Sequence, residues 1–480
     1  MWYLDKDILY LIFEEIKNDK KTLHSCLLVN RTWCVTAVPL LWKNPWKYVT
    51  IKSKILLFNV IISHLSKESI DILNNQGINN LITETYQRPL FNYIYFCKYL
   101  SLFFLENEIS SKNFEKSKMS IIRNEILKLF INGDTKYIHI SIPDKFDCQL
   151  HHIPGFEHCF SELESFYCRG NIDQNVIEGL TKVCKSIKSL SVGINLNNFG
   201  IFKLIEVQKN LNTVNLIHRG RLKKRKESFN KSLEESLIKH ANTIQYLRFE
   251  WKPITRFLSY FVNLLILEIY LPYSIIDTYY SNQLENISLP NLKTLKTRNV
   301  TPKVLANLIE NTKGNLTEIS VLYSDRYDNS EMFIQAIYQN CPNLKYFHLS
   351  LINNSNSLIS EFENLLISCQ FLSGLVINVY DEYYNKFGWD SLLLILAKSS
   401  PISLFKFKFF STTIIKLFSG MVLFFDNWKD RNPILLRVGV DNYVQSEQMN
   451  ELINEYKMRG IVEKYSIGLG ISGYENFEWV

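Results

Sequence analysis

Glycine and proline are scarce, at 17 and 12 among 480 residues. That excludes a collagen-like or linker-dominated chain, in which these two residues set the backbone. Long apolar runs are also missing. The most apolar stretches, Ile55 to Leu65 and Met421 to Phe425, fall short of the ~18 residues a membrane span needs, so no membrane contact is expected. The nine cysteines are an odd number and no two have the Cys-x-x-Cys spacing. Cys26, Cys184 and Cys369 stand in apolar, helix-like contexts and read as reduced, buried thiols of a cytoplasmic and/or nuclear protein. The charged segment Met1 to Asp7 lacks a signal-peptide pattern, so the sequon Asn315-Leu316-Thr317 reads as a chance match. The glycine-rich phosphate loops, HExxH and GxSxG are absent, and carboxylates are scattered. A non-enzymatic chain without cofactor or metal is expected.

What the chain does have is apolar mass. Hydrophobic residues make up 46%, charged residues 21% and aromatics 14%. A disordered chain lacks the apolar content to offset its conformational entropy, so this one folds. At ~150 residues per domain the length implies about three units. The 54 basic and 47 acidic residues leave a net charge of +7, a mild bias over this length.

A repeat organises most of the sequence. Leu344, Phe347 and Leu349 occupy offsets 0, 3 and 5, and the same spacing recurs from Leu163, Ile187, Leu211, Ile244, Leu264, Leu292, Leu316, Leu372, Ile402 and Leu435. Thr297 fills the third place in the Leu292 unit, and weaker versions flank the array at Ile138 and Tyr465. Successive first positions lie 20 to 33 residues apart. Between them the apolar period switches from 2 to 3.6, as in Val304, Leu305, Leu308 and Ile309. Each unit is therefore a strand, a turn, a helix and a turn, and a strand-to-strand step through a helix makes neighbouring strands parallel. The segment Cys341-Pro342-Asn343-Leu344 resembles the cysteine-containing leucine-rich repeat, with Cys184 and Cys369 in similar places and Gln208 or Ala241 in others. The resemblance implies an α/β architecture, a curved right-handed solenoid with parallel strands on its concave face, over residues 135–480.

Residues 1–47 read differently. Ile8, Leu9, Ile12, Phe13 and Ile16 mark one helix face. Leu23, Cys26 and Leu27 begin a second helix, and Arg31 to Val35 a third that Pro39 stops. Trp33, Trp42, Phe13 and Leu27 are expected to fill a small core. Leu4, Asp7-Ile8-Leu9, Ile12-Phe13, Val29, Arg31, Trp33 and Leu41-Trp42 keep the spacing of an F-box, which this stretch resembles. Asp5 and Asn30 replace the family's proline and cysteine. The resemblance implies docking to a Skp-type adaptor, and through it to a cullin ubiquitin ligase, with Leu4, Ile8, Leu9, Leu23, Leu27, Val29 and Pro39 as the contacting residues. The plainer reading of the same residues is a helical cap. Residues 48–134 lack the strand motif and read as a helical connector covering the first repeat.

The remaining candidates concern binding. Side chains at offsets 2, 4 and 6 of each repeat point away from the core. They include Tyr167, Arg169, Tyr246, Arg248, Tyr270, Lys296, Arg298, Tyr346, His348, Lys406 and Lys408, types common at binding hot spots. They are expected to contact a target protein of acidic or phosphorylated character, interspersed with Glu250, Glu268 and Glu318. Cys148, His151, His152, His158 and Cys159 form a single His/Cys cluster, but no second ligand pair accompanies it, and packing is the expected role. Residues 219–226 hold six basic side chains in eight positions. They read as a solvated loop, without the interleaved aromatics of a single-strand binder, so nucleic acid is not the expected partner. Three functions stand open: the substrate-recognition subunit of a Skp–cullin–F-box ubiquitin ligase, a leucine-rich scaffold with no ligase connection, and, with least support, nucleic-acid binding through the 219–226 loop.

Overall fold

The computed structural model describes residues 5–81, 89–170, 172–194, 199–218, 227–272, 282–322, 330–351, 356–379, 388–411, 414–440 and 443–469. The 219–226 loop and Leu4 lie outside the described residues. The chain divides into two compact units, Met1–Arg221 and Leu222–Val480.

The first unit opens with helices α1 (Lys6–Glu15), α2 (Lys20–Cys26) and α3 (Arg31–Trp42). Asp19 starts α2, its carboxylate accepting from the Thr22 N–H at 3.1 Å and the Thr22 hydroxyl at 2.6 Å. Asn30 starts α3 by accepting from the Trp33 N–H at 2.9 Å, so the residue that departs from the F-box pattern serves as a helix cap. Helix α3 runs through Pro39 to Trp42 instead of stopping there. Proline forfeits one N–H donor, and the packing of Leu40 and Leu41 on the core holds the last turn. That core is Leu9, Phe13, Leu23, Cys26, Ala37 and Leu40, with Trp33 set edge-on to Phe13 at 5.3 Å. Trp42 does not join it. It stacks on Tyr93 at 4.5 Å, and Trp46 donates to the Tyr99 carbonyl at 2.5 Å, so both tryptophans tie the module to the segment around Tyr93 and Tyr99.

Strands β1 (Tyr99–Ser101), β2 (His139–Ile142), β3 (Ser165–Cys168), β4 (Ser189–Ile194) and β5 (Thr213–His218) form a parallel ladder in this unit. The ladder thus begins inside residues 48–134, where no strand motif is legible, because β1 has three residues and buries only Leu100. The same segment carries the helices Ile51–Ile62, Lys67–Asn75, Tyr93–Phe96, Leu102–Ser110 and Lys116–Phe130 and a 3-10 turn at Asn79–Leu81.

The second unit carries β6 (Tyr246–Phe249), β7 (Ile266–Tyr270), β8 (Thr294–Arg298), β9 (Glu318–Leu322), β10 (Tyr346–Leu351), β11 (Gly374–Val379), β12 (Lys406–Ser411), β13 (Ile434–Val440) and β14 (Val462–Leu469), each parallel to its neighbours. Helices Pro302–Glu310, Ser330–Asn340, Asn356–Ser368, Trp389–Ser399, Ile414–Asn427 and Tyr443–Met458 link the later strands. The 20-residue step between Ile244 and Leu264 leaves no room for a full helix, and a 3-10 turn at Phe257–Tyr260 replaces it. Glu234, fully buried, holds this short unit in place. Its carboxylate accepts from Trp251 Nε1 at 3.0 Å, the Ile254 N–H at 2.9 Å, and the Thr255 N–H and hydroxyl at 2.7 Å each.

The strand register matches the apolar repeat, with two corrections. Leu375 pairs with Phe407 and Ile377 with Phe409, and Phe407 with Leu436. The repeat at β12 is therefore Leu404, Phe407 and Phe409, two residues later than read, with Ile402 exposed, and the β13 unit sits two residues earlier than read. A shift of two keeps the same face of a strand, so Lys406 and Lys408 still point away from the core. Thr297 occupies its buried place between Ile269 and Val321.

Two polar ladders run between successive repeats. One repeats at the helix ends: Cys184 Sγ lies 3.5 Å from the Phe160 carbonyl, Gln208 Nε2 donates to the Cys184 carbonyl at 3.0 Å, and Cys369 Sγ lies 3.9 Å from the Cys341 carbonyl. At these three places the helix-end side chain reaches the carbonyl at the equivalent place one repeat earlier, whereas Ala241, Phe261 and Leu289 carry no donor there. The other ladder uses asparagine. Asn263, Asn291, Asn315 and Asn343 stand one residue before their repeats' first leucine. Their Nδ2 atoms donate to the carbonyls of Asn242, Val262, Pro290 and Gly314 at 3.0, 3.0, 2.8 and 3.2 Å.

Candidate partner-binding surfaces

The three-helix module closes its core with part of its apolar residues and leaves the rest outside. Leu9 and Leu23 are 1% and 0% exposed and so belong to the core, not to a contact surface. Leu27 packs on that core half-buried, and Pro39 is half-buried within α3. Ile8 and Val29 are 48% and 55% exposed, as a contact residue must be. The structure adds Leu11, Ile12 and Leu28, at 66%, 45% and 89%. Ile8, Leu11 and Ile12 fall at i, i+3 and i+4 and share one face of α1. The signal was present in the sequence: five apolar residues among six from Ile8 to Phe13 are too many for one helix face to bury.

The module is also built into the ladder. At each repeat of the first unit two successive N–H groups share one carbonyl of the preceding repeat: Ile138 and His139 donate to Lys98, Glu164 and Ser165 to Ile138, Lys188 and Ser189 to Glu164. Lys98 and Tyr99 donate in the same way to the Lys43 carbonyl, at 2.9 and 3.2 Å. The chain just after α3 therefore stands where a preceding repeat would, and covers the start of the ladder.

The strand face is more closed than a docking surface requires. Of the side chains expected there, Tyr270, His348 and Lys408 are buried. Tyr167, Tyr246, Arg248, Lys296, Arg298, Tyr346 and Lys406 are half-buried, and Arg169 alone of the set is exposed. The cause is register. Parallel strands lie ~4.8 Å apart, so long side chains at one level cover their neighbours. Arg248 pairs with Glu250 at 2.8 Å and Glu268 at 3.7 Å, and its guanidinium lies 4.5 Å from the Tyr270 ring. Burial, and then the Glu268 charge, push the hydroxyls of Tyr246 and Tyr270 well above the usual tyrosine range. Lys296 pairs with Glu318 at 2.8 Å. Ser320 Oγ lies 3.0 Å from His348 Nδ1, and Asn378 Nδ2 lies 2.8 Å from His348 Nε2.

The face changes character towards β14. The outward positions of β11 to β14 are Gly374, Val376, Asn378, Lys406, Lys408, Phe410, Leu435, Arg437, Gly439, Lys464, Ser466 and Gly468. None of these is acidic. Arg437 and Lys464 are exposed, and neither was singled out by the spacing of the repeats.

In the His/Cys cluster the His151 and His152 rings touch, with centroids 4.2 Å apart, but the cysteines face other partners. Cys148 Sγ lies 3.8 Å from Asn124 Oδ1, whereas Cys159 is fully buried with its Sγ 3.9 Å from the Phe130 carbonyl. Among the described residues no group of three His, Cys, Asp or Glu side chains is placed to hold a metal. All nine cysteines are free, seven of them buried, and burial pushes the thiols of Cys97, Cys184 and Cys369 up to about 12. No helix among the described residues is long and apolar enough to cross a membrane.

No protein-family model matches this chain, and no curated protein matches it either. Among solved structures, the leucine-rich-repeat-containing protein LegL7 from Legionella pneumophila aligns at 12% identity and a TM-score of 0.36, covering 63% of this chain and 88% of that one.

Proposed function

We propose that this chain is the substrate-recognition subunit of a Skp–cullin–F-box ubiquitin ligase. The observation that carries the reading is the apolar surface of the N-terminal module. With its own core complete, the module still exposes Ile8, Leu11, Ile12, Leu28 and Val29. Apolar surface left out by a folded unit marks an interaction site, and these residues lie in the stretch whose spacing resembles an F-box. The target binds on the strand face of the second unit, towards β14. There Lys406, Arg437 and Lys464 fit an acidic or phosphorylated segment. The chain itself performs no chemistry; it raises the effective concentration of target near the ubiquitin-loaded enzyme. Such a role belongs in the cytoplasm and/or the nucleus.

A pull-down of the full chain with a Skp-type adaptor tests the adaptor half. Retention by the parent chain and loss with Leu11→Asp plus Leu28→Asp are expected. Equal retention of both would remove the assigned surface. The Lys43 carbonyl bonds favour a second reading, in which residues 1–47 serve only as the cap of an interaction scaffold. Failure of the parent chain to bind any Skp-type adaptor would establish that reading over the first.

A further inference from the structure

A cavity of about 350 Å³ lies in the first unit where the α1–α2 turn, the end of α3 and β1 meet. Its walls carry Lys17, Lys20, Lys43 and Lys47, together with Asn18 and Asn44. Four lysines around one small cavity concentrate positive charge there.

Few carboxylates lie among them. Glu14 is shared by two of the lysines, at 3.2 Å from Lys17 and 3.4 Å from Lys43. Asp19 is committed to capping α2. Lys47 donates to the neutral Asn18 Oδ1, at 3.4 Å. Lys20 and Lys47 crowd the same tyrosine ring, their Nζ atoms 5.9 and 5.0 Å from the centre of Tyr48. Burial, with the Lys47 charge beside it, holds the Lys20 ammonium below the usual lysine range despite the favourable influence of Tyr48.

We infer that this cavity is a binding site for a compact polyphosphate, a small molecule bearing several linked or adjacent phosphate groups. The volume is at the lower end for small-molecule sites, too small for a folded partner. Each lysine offers three rotatable donors and a point charge suited to phosphate oxygens, and the asparagine amides add neutral donors. A single phosphate would satisfy few of them, whereas several phosphates span all four. The site also has a structural consequence. Its lysines belong to the N-terminal module and to the segment whose Lys43 carbonyl receives β1, and Tyr99 of β1 forms part of its wall. A bound polyanion therefore fastens the module to the ladder. The inference does not depend on the ligase reading.

Calorimetric titration of the full chain with inorganic tripolyphosphate, orthophosphate and sulfate tests it. One tripolyphosphate per chain is expected, bound at least about tenfold more tightly than orthophosphate or sulfate, together with a rise in Tm. Lys20→Gln with Lys47→Gln removes two charge-assisted contacts, and affinity falls by roughly tenfold or more. Lys20→Arg with Lys47→Arg keeps the charge and retains most of the affinity, so an unfolded glutamine variant would not hide the answer. Neutralising Lys223, Lys224, Arg225 and Lys226 leaves binding intact. The inference is overturned if tripolyphosphate does not bind, if it binds no better than sulfate, if the glutamine variant folds and binds as the parent does, or if binding disappears on neutralising the 223–226 loop instead.

Discussion

The ring of His348 on β10 is held by Asn378 on β11, whose Nδ2 donates to Nε2 at 2.8 Å across the sheet. Nε2 is then an acceptor, so the proton is on Nδ1 and points to Ser320 Oγ at 3.0 Å. The arrangement requires a neutral ring. Burial first, and then the Lys408 and Lys296 charges, push its pKa down to about 3.

This relationship makes stability fall in acid. An unfolded histidine titrates near ~6.5, so the His348 contribution is complete above that value. It is lost as pH falls from there towards about 3, at up to ~1.4 kcal/mol per pH unit. Urea melts of the parent and of His348→Gln between about pH 6 and pH 4 will show a shallower decline in the variant. Equal slopes would mean that His348 is not the group responsible.

Core and surface residues of the N-terminal module respond differently. Leu9→Ala opens a cavity in a closed core and costs ~2–5 kcal/mol. Ile8→Asp and Leu28→Asp alter exposed positions, and each changes stability by less than ~0.5 kcal/mol. Adaptor affinity measured on the two surface variants falls while their melting profiles stay like the parent's. A surface variant that melts early would show that its residue is structural.

Glu234 is the anchor of the shortest repeat. Glu234→Ala leaves Trp251 Nε1 and the N–H groups of Ile254 and Thr255 without their acceptor in a buried site. The cost is at least ~2 kcal/mol. Glu234→Gln keeps the shape but turns a donor towards some of these donors, and falls between. Chemical denaturation of the two variants gives the order; a neutral alanine variant would contradict the role.

Each rung of the asparagine ladder is a single hydrogen bond on an exposed turn. Asn315→Ala costs ~0.5–1.5 kcal/mol. Asn291→Ala with Asn343→Ala, on repeats that do not touch the same carbonyl, costs the sum of its parts within ~0.5 kcal/mol. Strong non-additivity in denaturant melts would show instead that the rungs act as one unit.

The repeating α/β architecture is legible in the order of residues alone. Apolar residues at offsets 0, 3 and 5, separated by helical periods, have few other ways to be buried. The parallel registers of β7 to β11 follow that spacing residue for residue. The three helices of the first 47 residues are legible too, since Asp19 and Asn30 are placed to cap and Leu9, Phe13 and Leu23 to pack. The residue order is silent where the signal is short or non-local. A three-residue strand such as β1 has too few positions to show a period. An exposed leucine such as Leu28 looks like a buried one until the core is seen to be full. The helix-end and asparagine ladders join residues 21 to 29 positions apart and appear only once repeats are stacked. Folding alone settles that Tyr270, His348 and Lys408 are covered by their neighbours, because that depends on which side chains share a level across adjacent strands. Folding also brings Lys17, Lys20, Lys43 and Lys47 around one cavity, since like charges gather there through the packing of α1, α3 and β1 and not through any pattern along the chain.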